Sequence, residues 1–279
     1  MSEAAPATGE PAVVPARPAA TVVLVRPTGN GWETYLVRRS PKSPVLPSLW
    51  VFPGGTVRAD DMGAVAETLD PHFSAAQAHA ALARPPGSPA ETAAESRGYF
   101  VTAARELFEE AGVLLASVAP GTSSISAELG PDAQWAQRRR EVESGQPLAK
   151  ALRDMGARLD LNQLAYYAHW MTPLAVPQRF DTRFFIARLP EGACASPSTH
   201  EMMEGVWIGA LAALDRCKCG DMPLHFATLN HLRRLASQES IEGLFVFATT
   251  KAVVPVMPET RETEGHPVPY LPSELAGVW

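Results

Sequence analysis

Three glutamates in one short stretch of the chain have the spacing of a metal site. They lie in GYFVTAARELFEEAGVLL (98–115). Glu106, Glu109 and Glu110 stand at i, i+3 and i+4, so a helix would place them on one face. No basic residue follows at i+4, and only Arg105 can offset their mutual repulsion. Carboxylates at this spacing suit Mg²⁺ or Mn²⁺, completed by water and a substrate phosphate. The alternative is a solvated acidic face.

The same stretch has the apolar period of an amphipathic helix. Six of its apolar side chains fall within about 120° of one another on a helical wheel, which predicts a stripe facing the core. The stripe consists of Phe100, Ala103, Ala104, Leu107, Ala111 and Leu114. Gly112 has the residue type that commonly ends a helix.

Other elements must position this helix. A hairpin is predicted from TVVLVRP (21–27) and WETYLVRR (32–39), and a short strand from LWVF (49–52), which stops at Pro53. Because the strands and helices that follow are mixed and do not strictly alternate, an α+β fold is favoured. The strands are expected at 164–171, 183–189 and 205–208, and the helices at 132–144, 147–158, 210–217, 224–237 and 241–250.

Composition excludes several classes of protein. The 279 residues are 46% apolar and carry a formal net charge of −6, which supports a packed core and excludes a disordered acidic chain. Net acidity without a basic patch argues against nucleic acid as a partner. Three cysteines do not suggest a disulfide framework. No stretch has the apolar length of a membrane span, and acids and prolines interrupt the N-terminus, so a cytoplasmic protein is expected.

The glutamate stretch resembles a known motif. RELFEEAG (105–112), followed by Val113, resembles the second half of the Nudix box, R-E-U-x-E-E-x-G-U, where U is a bulky aliphatic residue. The first half, G-x5-E, begins at Gly55, with Asp61 standing where the family has Glu. The two halves are separated by the additional residues 62–97, for which a short helix near 74–82 and then an irregular loop are expected.

The resemblance extends beyond the box. AHWMTPLAVPQRFDTRFFIA (168–187) and EMMEGVWI (201–208) resemble the coenzyme A diphosphatase branch, whose members carry an insertion inside the box. This implies a Nudix-type α/β/α sandwich with a mixed β-sheet, enlarged by helical insertions. The expected divisions are a disordered lead-in at 1–19, a single domain at 20–272, insertions at 62–97 and 116–160, a helical part at 210–250 and a tail at 273–279.

The resemblance implies a role for each residue of the box. Glu109 and Glu110 are expected to be the main ligands of Mg²⁺ or Mn²⁺. Glu106 is expected to be a further ligand or the base that activates water. The Gly54 carbonyl is a further expected ligand, and Arg105 is expected to orient the glutamates through an ion pair.

Residues outside the box complete the predicted site. Many family members take one more carboxylate from a later loop, and the candidates here are Glu201 and Glu204, with ordinary loop acids as the alternative. The residues predicted to bind substrate are four arginines and one aromatic residue, namely Arg38, Arg39, Arg179, Arg183 and Phe180. Solvent exposure is the alternative for the first two arginines.

The implied function is metal-dependent hydrolysis of a diphosphate linkage in coenzyme A or acyl-CoA. The products would be 3′,5′-ADP and 4′-phosphopantetheine or its acylated form. One alternative is a hydrolase of ADP-ribose, NADH or another nucleoside diphosphate derivative, and another is a non-catalytic nucleotide-binding regulator. The segment 62–97 is predicted to be either a lid over the site or a tolerated surface loop. The oligomeric state is open, with a homodimer possible.

Overall fold

A mixed β-sheet organises the computed structural model. The model describes residues 14–83, 92–117, 133–174, 176–198, 201–263, 265–275 and 277–279. Its strands are β1 (Arg17–Thr28), β2 (Gly31–Arg39), β3 (Trp50–Val51), β4 (Gly54–Thr56), β5 (Ala116–Ser117), β6 (Arg158–Leu159), β7 (Ala165–Met171), β8 (Phe180–Arg188), β9 (Met202–Ile208), β10 (Pro255–Val256), β11 (Glu259–Thr263) and β12 (His266–Tyr270).

The main sheet runs in the order β10-β7-β8-β1-β2-β3, with β4 paired to β1 and β9 paired to β2. Strands β1 and β8 are parallel, as are β7 and β10, whereas the other pairs are antiparallel. The sheet is therefore mixed, as expected. β5 with β6 and β11 with β12 form two separate two-stranded sheets.

Helices lie on both faces of the main sheet. They are α1 (Gly63–Glu67), α2 (Ala75–Leu82), α3 (Ala93–Ala111), α4 (Ala133–Glu143), α5 (Leu148–Met155), α6 (Ala210–Lys218), α7 (Phe226–Leu235) and α8 (Ile241–Thr250). Because successive side chains of a strand point to opposite faces, β1 contributes Val22 to one apolar cluster and Val23 to the other. The first cluster includes Leu107 of α3 and the second includes Leu232 of α7. This layering confirms the α/β/α sandwich.

The element boundaries differ from the predictions at several points. Strand β1 begins at Arg17, inside the predicted lead-in, of which residues 1–13 lie outside the described part. Helix α3 begins at Ala93, inside the segment expected to be an irregular loop, because Thr92 forms a capping box with Glu95. The sequence did not predict β10, β11 and β12: β10 and β12 are short and contain proline, and β11 (ETRET) is polar throughout, so none has an apolar period to detect.

The described part of the inserted segment 62–97 packs into the hydrophobic core. Leu69, Phe73 and Leu82 are buried in the same cluster as α3, and the Arg97 guanidinium donates to the carbonyl oxygens of Phe73 and Asp70, both at 2.9 Å. None of the segment's described residues lines the large cavity beside Glu106, Glu109 and Glu110. The lid interpretation is therefore wrong for the described part of the segment, because its apolar residues are used in packing; residues 84–91 lie outside that part.

The last residue of the predicted tail packs against the main sheet. Trp279 is only 4% exposed, and its ring lies 4.8 Å from that of Trp170 on β7 in an edge-to-face arrangement. Among the described residues, no helix is both long enough and apolar enough to cross a lipid bilayer.

Candidate active site

Helix α3 carries the three glutamates. It ends at Gly112, whose φ of 66° is the left-handed conformation that glycine adopts without strain. The predicted apolar stripe is buried, but so are the carboxylates: Glu106 and Glu109 are 6% exposed and Glu110 is 5% exposed. This burial excludes the solvated acidic face. Because a buried carboxylate is costly unless it is paired, these three side chains need cations or hydrogen-bond donors around them.

Arg105 is the central cation of the site. Its side chain is fully buried and forms a bidentate pair with Asp61, with both contacts at 2.8 Å. Its Nη1 atom also donates to Oε1 of Glu106 at 2.6 Å and to Oε1 of Glu109 at 3.2 Å. Asp61 therefore holds Arg105, and the predicted ion pairs between Arg105 and two of the glutamates are present in this geometry.

Two further arginines neutralise the glutamates. Arg58 forms a bidentate pair with Glu109 at 2.8 and 2.9 Å. Arg39 lies 3.7 Å from Oε1 of Glu110, whose Oε2 accepts a hydrogen bond from the Gly54 backbone N–H at 2.8 Å. Each carboxylate thus faces at least one cation or backbone donor.

Burial and repulsion from neighbouring carboxylates raise the pKa values of all three carboxyls. The pKa of Glu109 rises to about 7 because of burial and the neighbouring charge of Glu106, although Arg105 and Arg58 oppose the rise. Burial is also the largest cause of the raised pKa of Glu106 and of Glu110. The three nearby guanidinium groups therefore do not fully compensate the burial and repulsion of these carboxylates.

Two glycines allow β4 to approach these carboxylates. A Cβ atom added to Gly55 would lie 2.4 Å from Oε1 of Glu106, and one added to Gly54 would lie 2.5 Å from the carbonyl oxygen of Ala20. Neither position has room for a side chain. The close approach places the Gly54 backbone beside Glu110.

The glutamates lie in the wall of a cavity of about 1420 Å³. Its polar part also includes Arg58, Arg140 and Glu143. Its apolar part is formed by β7, by the start of β8 and of α7, and by the loop before β3. The apolar side chains include Val45, Leu46, Leu49, Trp170, Phe180 and Phe226.

Three predicted residues outside the box lie at this cavity, namely Arg39, Phe180 and Glu201. Glu201 lies 3.6 Å from Arg39 and so belongs to the same charged group. Arg38 and Glu204 do not line the cavity; they pair with each other across β2 and β9 at 3.0 Å, in exposed positions.

The other two predicted arginines are turned away from the cavity. Arg179 donates to the carbonyl oxygens of Thr172 at 3.2 Å and Val14 at 2.7 Å. Arg183 is buried, pairs with Asp181 at 2.5 Å and lies over the Tyr99 ring. Burial lowers the pKa of Arg183 to about 9. Neither residue lines the cavity, so the structure does not bring them to the glutamates.

The sequence reading missed three arginines at the site. Arg58 lies between the box glycine and Asp61, where a single basic residue was the available signal. Arg139 and Arg140 belong to an Arg-Arg-Arg run in α4. Arg139 donates to the backbone carbonyl of Glu109 at 2.8 Å, which ties the helical insertion to the end of α3.

The donor set fits a hard divalent cation, although the side chains do not converge on one point. Three buried carboxylates with raised pKa values and an adjacent backbone carbonyl are the oxygen ligands that Mg²⁺ and Mn²⁺ prefer. Yet, within the described ranges, no group of three His, Cys, Asp or Glu side chains is arranged to surround an ion. Arg58 and Arg105 take the oxygens of Glu109 instead.

The chain is similar to proteins of one known family. The model of the NUDT19 Nudix domain matches residues 11–235. The chain is 29% identical to acyl-coenzyme A diphosphatase NUDT19 of Gallus gallus, over 76% of this chain and 66% of that protein. It is 27% identical to the Homo sapiens protein of the same name, over 88% of this chain and 69% of that protein. The similarity thus spans about two thirds of each relative's length.

A solved structure shows the same fold. The crystal structure of a Nudix hydrolase from Alicyclobacillus acidocaldarius superposes with a TM-score of 0.66 at 27% identity, covering 88% of this chain and all of that one. Because the family model matches most of the chain and the box residues meet in one buried site, the chain belongs to the Nudix hydrolase family, in the branch described by the NUDT19 Nudix domain.

Proposed function

We propose that the protein is a metal-dependent hydrolase that cleaves the diphosphate of coenzyme A or acyl-CoA. The observation that carries the proposal is the position of three buried glutamates in the wall of a large cavity whose remaining walls are mostly apolar. The similarity to two acyl-coenzyme A diphosphatases supports this substrate class. The products would be 3′,5′-ADP and 4′-phosphopantetheine or its acylated form.

The glutamates would hold the metal. Glu106, Glu109 and Glu110 supply carboxylate oxygens, and the carbonyl of Gly54, the first residue of β4, is the backbone candidate. A bound Mg²⁺ or Mn²⁺ would neutralise the diphosphate and lower the pKa of water. Arg105 keeps Glu106 and Glu109 in place through its own anchor on Asp61.

The other charged residues of the cavity would act on substrate and water. Arg39 and Arg140 offer guanidinium groups to phosphate oxygens. Glu201 is the candidate to accept the proton from the attacking water, since it lines the cavity and Glu204 does not. As that water attacks one phosphorus, the bond from this phosphorus to the bridging oxygen breaks, and the bridging oxygen leaves with the second phosphate.

The apolar walls suit the rest of the substrate. Trp170, Phe180 and Phe226 line one part of the cavity, and Val45 and Leu46 line another. Such surfaces can cover an adenine ring or a pantetheine and acyl arm. A substrate that places apolar groups next to a diphosphate matches this division of the cavity.

The test is a substrate panel with product identification. We expect the full-length protein with Mg²⁺ to release 3′,5′-ADP from coenzyme A and from acyl-CoA, measured by liquid chromatography and mass spectrometry. Faster hydrolysis of ADP-ribose or NADH would replace the substrate claim with the nucleotide-derivative alternative. No hydrolysis of any diphosphate would favour a non-catalytic binding protein.

A pair of variants tests the site itself. Glu109→Gln should lower kcat about 100-fold or more, since even indirect partners of metal ligands contribute 10- to 100-fold. Glu242→Gln is the control, because Glu242 is exposed and pairs with Arg188, and neither residue lines the cavity. Undiminished hydrolysis by the Glu109→Gln variant would refute the metal assignment.

A further inference from the structure

We infer that Arg58 exchanges partners during the reaction cycle: it neutralises Glu109 until a divalent cation binds, and then binds a phosphate of the substrate. The inference rests on the proposed metal-dependent function. It assigns a substrate-binding role to a residue that lies outside the residues fixed in the Nudix box motif. The observation behind it is that Arg58 both forms a bidentate pair with Glu109 and lines the cavity.

Arg58 differs in its anchoring from the other two arginines at the glutamates. Arg105 is fully buried and held by Asp61 and by the Thr56 carbonyl. Arg39 donates to the Ser43 hydroxyl and to the Val45 carbonyl, in addition to facing the carboxylates. These bonds restrain both guanidinium groups independently of the glutamates.

The Arg58 guanidinium has fewer anchors. Apart from Glu109, its one partner among the described residues is the Val142 carbonyl, at a long 3.3 Å. The side chain is 31% exposed, whereas that of Arg39 is 16% exposed. The Arg58 backbone, in contrast, is restrained, because its N–H donates to Asp61 at 2.9 Å. The side chain can therefore turn about a restrained backbone at the edge of the cavity.

Electrostatic attraction favours both steps of the exchange, the binding of the cation to Glu109 and the binding of Arg58 to phosphate. Both oxygens of Glu109 accept from Arg58, and Oε1 also accepts from Arg105, so a cation that takes Glu109 as a ligand competes with the Arg58 guanidinium for the same carboxylate. Once released, the guanidinium would lose its bidentate carboxylate partner and would lie beside an anionic diphosphate, whose oxygens match its planar fork. Metal binding would thus free the Arg58 guanidinium to bind a phosphate of the substrate in the cavity.

This exchange predicts opposite effects of one substitution on metal and substrate. Arg58→Met removes the competitor of the metal and should tighten Mn²⁺ binding about tenfold, as Coulomb's law gives for a unit charge roughly 6 Å from a dication in water. The same change should raise the KM for coenzyme A about tenfold, the typical loss of one charge-assisted contact. If Arg58 only held Glu109 in position, Arg58→Met would instead weaken the binding of both Mn²⁺ and coenzyme A.

The experiment is an electron paramagnetic resonance titration of the metal-free full chain with Mn²⁺ alone, combined with KM measurements on coenzyme A. Arg138→Met is the matched control, because Arg138 has a similar exposure of 28% but pairs with Glu141 and Asp154 and does not line the cavity. It should leave Mn²⁺ affinity and KM within about twofold of wild type. Circular dichroism checks that each variant is folded.

A second variant keeps the inference testable if Arg58→Met does not fold. Arg58→Lys retains the charge that competes with the metal but lacks the planar fork, so Mn²⁺ affinity should stay within about threefold while KM rises. Unchanged or weakened Mn²⁺ binding in Arg58→Met, or an unchanged KM in both variants, would overturn the inference.

The proposed function fails in a different way. If wild type binds no Mn²⁺ at millimolar concentration, or if Glu109→Gln does not reduce that binding, the metal site itself is refuted and the inference falls with it. If wild type binds Mn²⁺ through Glu109 but Arg58→Met does not tighten it, the exchange alone is refuted.

Discussion

Replacing Asp61 by Asn should destabilise the protein strongly, because Asp61 is the buried anchor of Arg105. Asp61 is 2% exposed and accepts four hydrogen bonds, two from Arg105 at 2.8 Å, one from Thr102 at 2.7 Å and one from the Arg58 backbone at 2.9 Å. Asn removes the negative charge and turns one acceptor into a donor that faces other donors. Breaking a buried ion pair by removing one partner costs about 3–5 kcal/mol.

The lower end of that range applies here. Glu106 and Glu109 still contact Nη1 of Arg105, so the buried guanidinium keeps part of its compensation. We therefore expect the free energy of unfolding to fall by about 3 kcal/mol, which corresponds to roughly 6–12 °C in Tm for a protein of this size. Asp61→Glu keeps the charge and should cost about 1–3 kcal/mol through overpacking.

The assay is equilibrium unfolding in urea, followed by tryptophan fluorescence. Asp60→Asn is the control, because the neighbouring Asp60 side chain makes no hydrogen bond to any described residue; it should change the free energy of unfolding by less than about 0.5 kcal/mol. If Asp61→Asn stays within about 1 kcal/mol of wild type, the reasoning from the buried pair is refuted.

Three further predictions concern the site. Gly55→Ala should cost about 1–3 kcal/mol in urea unfolding, because its Cβ would lie 2.4 Å from a glutamate oxygen, whereas Gly29→Ala, with open space around it, should change stability little; equal effects would contradict the close approach. Burial raises the pKa of Glu109 from 4.5 to about 7, so between these pH values the folded state keeps the Glu109 proton, whereas the unfolded state has released it. In chelator-containing buffer, the free energy of unfolding should therefore fall by about 2 kcal/mol as the pH rises from 5 to 8, a slope that Glu109→Gln reduces; identical slopes in urea titrations would reject this. Glu201→Gln should lower kcat about 100-fold as loss of a general base, whereas Glu204→Gln should leave it within about twofold; the reverse order in steady-state kinetics would exchange their roles.

Local sequence patterns were sufficient to predict the helix that carries the glutamates and much of the other secondary structure. The apolar period predicted the buried stripe of α3, and the spacing of the three glutamates placed them together on that helix. Helix α8 was predicted with both of its ends, and α2 to within one residue. These features depend on residues three or four positions apart, whose relative placement a helix determines without tertiary contacts.

Only the tertiary structure identified the arginines that pair with the glutamates from elsewhere in the chain. Arg58 and Arg39 reach Glu109 and Glu110 from other elements of the chain, and such long-range contacts leave no local period to detect. Arg179 and Arg183 show the converse: their residue type suited phosphate, but packing turned them to backbone carbonyls and to Asp181. Residue type and spacing thus determined which groups could do chemistry. The packing of β2, β4 and α3 decided which of them share one buried, charge-balanced site, because burial and ion pairing depend on distances that only the folded chain defines.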